Sequence, residues 1–209
     1  MEVQSTAKNP KTAEKILRAA TAVFVRKGFS GARMEEIARE SGMNRALLHY
    51  YFDSKEHLFD IIFERHFMEL QGGLGEILIS KDSVEGKIRA IVHHFYRMIK
   101  ANPQLPMFII HELSVNPDRI VGMMRQAMVT PEHHAGTFMK QVEDEGRAGT
   151  IRQVDPAHLL VSIIGMVIYP FLARPVLKMI LRRDDAGYEQ FMESRPDFVI
   201  DTILTSLKP

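Results

Sequence analysis

At 209 residues, with 45% hydrophobic and 25% charged side chains, the chain can bury a sizeable core and is not a disordered polymer. It has no cysteine, which excludes a disulfide framework and thiol chemistry and agrees with the cytoplasmic localisation expected here. The net charge of +1 conceals an asymmetry. Before residue 50, Lys8, Lys11, Lys15, Arg18, Arg26, Lys27, Arg33, Arg39 and Arg45 outnumber Glu2, Glu14, Glu35, Glu36 and Glu40.

The chain opens on a polar arm, MEVQSTAKNPKT, with no basic-then-apolar leader. A first helix is expected from the cap-like Thr12 to about Lys27, with Ile16, Ala20, Val23 and Phe24 as its apolar stripe and Gly28 closing it. Arg33 to Lys55 then reads as two short helices and a tight turn. Met34, Ile37 and Ala38 share one face of the first, and Ser41-Gly42 stops it. Asn44 is a good N-cap for the second, which turns Leu48 and Phe52 to one side and Arg45, Ala46, His49 and Tyr50 elsewhere. This is the helix-turn-helix pattern, whose second helix enters the major groove of DNA. Lys55 stands in the first turn of the next helix, where a cation opposes the helix dipole, so it is expected to serve a phosphate.

A longer helix follows from Ser54 to about Gln71, apolar on more than one side, and Gly72-Gly73 and Gly75 end it. Further helices are expected from Val84 to Ile99, Leu105 to Val115, Ile120 to Met128, Glu132 to Arg147, Leu159 to Leu172 and Asp197 to Leu207. The Leu159–Leu172 segment is nearly all apolar, yet shorter than the about 20 residues a membrane span needs. It contains Pro170 and is expected to be buried on most sides; no membrane partner is expected. With no alternating strand pattern anywhere, the chain reads as all-α.

Methionines and aromatics recur in the second part, and methionine suits an adaptable apolar pocket. Such a stripe equally suits plain core. The pairs His93-His94 and His133-His134 point about 100° apart on a helix, so no metal site is expected. No phosphate-cradling glycine loop, nucleophile elbow or paired carboxylates indicate an enzyme, and no catalytic residue or cofactor is expected.

Several segments together resemble the DNA-binding domain of the tetracycline-repressor (TetR) family of bacterial transcription regulators: Ile16-Leu17-Arg18-Ala19-Ala20, Phe24, Lys27-Gly28-Phe29, Ile37-Ala38, Ser41-Gly42-Met43 and, above all, the run from Leu48 to Leu58. Two positions depart from the family. Ala32 and Arg33 stand where a hydroxyl residue usually precedes the second helix, so Ser30 is the substitute cap to expect. Leu47 replaces a residue that is usually small or hydroxylated, and suits a thymine methyl.

The resemblance implies an N-terminal three-helix DNA-binding domain (1–53) and a larger helical domain (54–209) that binds a ligand and dimerises. It implies a repressor that reads a palindromic operator in double-stranded DNA and is released by a small apolar or amphipathic effector. The DNA-binding set is then Arg33, Asn44, Arg45, Ala46, Leu47, His49, Tyr50 and Lys55. The ligand set is His94, Phe95, Met98, Met107, Phe108, His111, Met124, Met166 and Tyr169, and a homodimer forms through the Leu159–Leu172 and Asp197–Leu207 helices. The rival expectation is a helical small-molecule-binding protein whose helix-turn-helix is only a packing corner.

Overall fold

The computed structural model describes residues 9–71, 73–103, 105–127 and 131–209, with no strand among them. In chain order the helices are α1 (Pro10–Gly31), α2 (Met34–Ser41), α3 (Arg45–Phe52), α4 (Lys55–Gln71), α5 (Leu74–Ile79), α6 (Val84–Ala101), α7 (Leu105–Val115), α8 (Pro117–Ala127), α9 (Pro131–Arg147), α10 (Pro156–Leu172), α11 (Arg174–Ile180) and α12 (Asp185–Ser206). No single helix among the described residues is long and apolar enough to cross a membrane.

The helices fall into two compact units, one formed by Met1–Met68 with Met107–Ala127, the other by Glu69–Pro106 with Met128–Pro209. Proximity thus groups most of α4, and α7–α8, with the first three helices, a cut unlike a boundary at residue 53.

In the first unit, α1 starts earlier than Thr12. Asn9 is its cap, accepting from Lys11 N–H at 3.0 Å, and Pro10 takes the first position, where its missing N–H costs nothing. Gly28 breaks the helix with φ 67° and ψ 175°, and a Cβ there would stand 2.5 Å from His111 Nε2. Gly42 ends α2 in the left-handed conformation, and Asn44 caps α3 by accepting from Leu47 N–H at 2.7 Å, as the sequence predicts. Ile16, Val23 and Phe24 of α1, Ile37 of α2, Leu48 and Phe52 of α3, and Leu58, Phe59 and Ile62 of α4 are all buried.

Helices α7 and α8 join this core through polar groups. The Glu112 carboxylate, only 1% exposed, accepts from the Phe29 backbone N–H at 2.8 Å and from Asn116 Nδ2 at 3.4 Å. The Arg119 guanidinium lies 4.2 Å from the Phe29 ring and 4.9 Å from the Phe59 ring, and pairs with Asp60.

In the second unit, Val84, Ile88, Ile91, Val92, Phe95 and Ile99 form the buried face of α6. They share a core with Phe138 and Val142 of α9, Ile163 and Val167 of α10, and Tyr188, Val199 and Ile203 of α12. Lys87 is buried there too. Its ammonium donates to the Leu78 carbonyl at 2.7 Å at the end of α5, and burial draws its pKa down against the pull of Asp82 and Glu145.

Two further expectations need correction. Helix α10 is not buried on most sides: Leu159, Ile163, Val167 and Pro170 are buried, whereas Val161 is 68% exposed and Ile164 is also exposed. Helix α12 begins at Asp185, not Asp197, capped by Asp184, and runs through Pro196. Proline removes one backbone bond, but Met192 before it and Val199 after it are both buried, so packing carries the helix across. The short helices α5 and α11 were not anticipated, being too short for periodicity to register.

Candidate nucleic-acid interface

Helix α3 is held by two side chains, Leu48 and Phe52, one turn apart and both buried. That anchor leaves Asn44, Arg45, Ala46 and Tyr50 exposed, with Leu47 and His49 partly so. Six of the eight residues expected to meet DNA therefore lie on or at the start of one short outward helix. The other two, Arg33 and Lys55, lie outside it.

Arg45 does not stand free. Its Nη1 pairs with Glu35 Oε1 at 2.6 Å, and its Nε–H donates to His49 Nε2 at 3.4 Å. His49 in turn reaches the Asp53 carbonyl through Nδ1 at 2.7 Å. The network assigns the proton to Nδ1 and leaves Nε2 as acceptor. Glu35 and Arg45 are both exposed, and such a pair contributes about 0–1 kcal/mol, so a guanine edge or a phosphate can displace it. Glu35 was not anticipated as a member of this site: it sits across the turn, where helical spacing gives no signal.

Arg33 occupies the N-cap position of α2 with no side-chain hydrogen bond to the helix, and Ser30, the expected substitute, lies within α1. The first turn of α2 thus has no side-chain cap, and Arg33 is exposed and in no ion pair among the described residues. An uncapped helix N-terminus beside a guanidinium suits an anion. Lys27 and Arg26 are already engaged: the Lys27 ammonium above all, then Arg26, hold the Glu36 carboxyl below its ordinary pKa.

Lys55 departs from expectation. Its ammonium donates to the carbonyls of Phe29 at 3.0 Å and Ala32 at 3.2 Å and lies 4.4 Å from the centre of the Phe29 ring. The cation that opposes the dipole of its own helix is matched to the carbonyl end of α1. Tyr50, 50% exposed, stands edge-on to Tyr51, whose hydroxyl accepts from Asn9 N–H at 3.0 Å and so ties down the start of α1.

The residues expected to hold a ligand are divided between the units. Phe95 is core of the second unit, Met98 and Met166 pack against that core, His94 is partly buried, and Tyr169 is 58% exposed. In the first unit Phe108 is buried among Phe59, Phe63 and His66, Met107 is 49% exposed, and His111 lies against Gly28. The Met124 side chain lies outside what the structure describes. Among the described residues, no group of three or more His, Asp or Glu side chains could hold a metal ion.

Residues 16–62 match the family model described as "Bacterial regulatory proteins, tetR family". The chain is 29% identical over 112 residues to the transcriptional activator FasR of Mycolicibacterium smegmatis, an alignment spanning 54% of this chain and 51% of that protein. It is 25% identical over 189 residues to the transcriptional repressor SCO4008 of Streptomyces coelicolor, spanning 88% and 90%. Among solved structures it is similar to the fatty acid degradation regulator FadR from Bacillus halodurans, with a TM-score of 0.63 at 18% identity over 95% of this chain and 97% of that one. The hemolysin II regulator HlyIIR gives the same TM-score at 20% identity, covering 95% and 98%. FasR, SCO4008 and HlyIIR are named as regulators of transcription, and FadR as a regulator of fatty acid degradation.

Proposed function

We propose that this DNA-binding regulator, whose residues 16–62 match the tetR family of bacterial regulatory proteins, is a dimeric repressor released from a palindromic operator by a small apolar or amphipathic effector. The observation that carries the DNA-binding half is the outward face of α3, lifted by Leu48 and Phe52 and bearing Arg45, Leu47, His49 and Tyr50. Two such helices enter successive major grooves about 34 Å apart. Arg45 leaves Glu35 to pair with guanine O6 and N7, while Leu47 and His49 add base contacts. Arg33 with the open end of α2, and Tyr50, hold phosphates. Lys55 acts behind the interface, fixing the α1–α2 corner that aims α3.

Dimerisation is supported by apolar surface that one protomer leaves uncovered on α10 and α12, notably Val161, Ile164 and Phe198 at 68%, 38% and 61% exposure. Repression is favoured over activation because the alignment with the repressor SCO4008 spans 88% of the chain, that with the activator FasR 54%. Release follows if the effector binds better to the dimer whose α3 helices are spread away from the groove spacing. The test is a mobility-shift titration with DNA from the region upstream of the protein's own gene. A shifted band that one twofold-symmetric footprint accounts for is the expected result. No shift at low salt with any fragment of that DNA rejects the reading and leaves a small-molecule-binding protein.

A further inference from the structure

The second unit contains an open-sided cavity of about 400 Å³ between α6, the α10–α11 corner and the first half of α12. Ile99, Phe171 and Met192 give it apolar walls, and none of the nine residues expected to hold a ligand lines it. One buried donor lacks an acceptor here. Tyr96 lines the cavity, is 8% exposed, and its hydroxyl proton has no acceptor. Arg195, which does not line the cavity, sets its guanidinium beside the phenol. A guanidinium cannot accept, and burial pushes the Tyr96 pKa up to about 12, so the phenol keeps its proton. What the phenol lacks is an acceptor for its proton.

The charges around the opening favour an anion. Arg174 is already matched, at 3.0 Å to Asp185 and 2.6 Å to Glu189. Lys100 meets Glu193 only at 3.9 Å, and Arg97, on the rim, is exposed with no ion pair among the described residues. A cationic ligand would bring donors to donors, and an inorganic dianion would leave the apolar walls uncovered.

We propose that this cavity binds a small amphipathic carboxylate, whose head group accepts from Tyr96 Oη–H while its hydrocarbon body lies along Phe171, Met192 and Ile99. The proposal deepens the effector reading above and rests on it only for the consequence at DNA. Calorimetric titration with sodium decanoate, below its micelle concentration, tests the site. One saturable site per chain is expected, weakened about tenfold by Tyr96→Phe, which removes a hydrogen bond to a charged group at constant shape. Arg97→Gln, on an exposed rim position, is expected to weaken binding about threefold and flatten its salt dependence. Decanol should bind at least about tenfold less tightly than decanoate. Absent saturation, equal binding by wild type and Tyr96→Phe, or equal binding of decanol each overturns the site. A mobility shift with decanoate separates the two claims. Saturable, Tyr96-dependent binding that leaves the operator complex intact keeps the cavity and rejects carboxylate-triggered release. Release by another compound, with decanoate failing to bind, keeps the regulator and rejects the cavity.

Discussion

The two compact units handle their exposed chemistry in opposite ways. In the first, several charged groups of the surface, though not Arg33, are provisionally matched: Arg45 with Glu35 and His49, Lys27 and Arg26 with Glu36. These are exposed pairs that water or a polyanion can exchange at little cost. In the second, the unmatched features are apolar flanks on α10 and α12 and the buried Tyr96 hydroxyl beside a cavity. A surface built for a charged, hydrated partner can close on itself while it waits, whereas one built for apolar partners stays exposed until they arrive.

The contrast breaks most sharply at α10 and α12. Val161→Glu combined with Phe198→Glu is expected to leave a folded monomer by analytical ultracentrifugation and to lower operator affinity by more than about 100-fold, since avidity between half-sites is lost. A stable dimer in that variant would place the interface elsewhere. Next in size, Arg45→Ala should weaken specific binding by about 1–3 kcal/mol, whereas Glu35→Gln, which removes the competitor, should leave affinity equal or higher. Titrations at several salt concentrations read both, and a loss of affinity in Glu35→Gln would contradict the displacement of that pair by DNA.

Within the first unit, Glu112→Ala leaves the part-buried Phe29 N–H unmatched and is expected to cost about 1 kcal/mol of stability by denaturant unfolding. Lys55→Met should cost about 1 kcal/mol in the same assay and leave the slope of log affinity against log salt unchanged, because the ammonium is spent on carbonyls. A shallower slope by about one unit would return Lys55 to the phosphates.

The smallest effect concerns pH. The Glu36 carboxyl is held below its ordinary pKa by Lys27 first, so its folded value lies below its unfolded one. The contribution to stability is therefore present above the unfolded pKa and fades as pH falls toward the folded value. Glu36→Gln should lower the melting temperature slightly at neutral pH and not at all in strong acid. A melting-temperature difference that persists unchanged below the carboxylate range would remove Glu36 from the account.

Much of the first unit could be read directly from the residues. Gly42 and Asn44 set the ends of α2 and α3 through backbone chemistry that operates over three or four residues, and the one-turn spacing of Leu48 and Phe52 named the buried side of α3. The helix ends that were misplaced have local reasons as well: Asn9-Pro10 outcompetes Thr12 as a start, and the Asp184 cap opens α12 well before the apolar run begins.

Local sequence could not say which partner a polar side chain would take across the fold. It identified Lys55 as a cation in an odd place but not the carbonyls of Phe29 and Ala32 that receive it, 26 and 23 residues away. Nor could it separate apolar residues destined for core from those left exposed, so that Phe95 and Tyr169 looked alike while one is 6% and the other 58% exposed. Periodicity along a helix is set by bonds between near neighbours and is written in the order of residues. Burial, ion pairing and the cavity beside Tyr96 depend on which helices meet, and that is decided only when the chain has closed on itself.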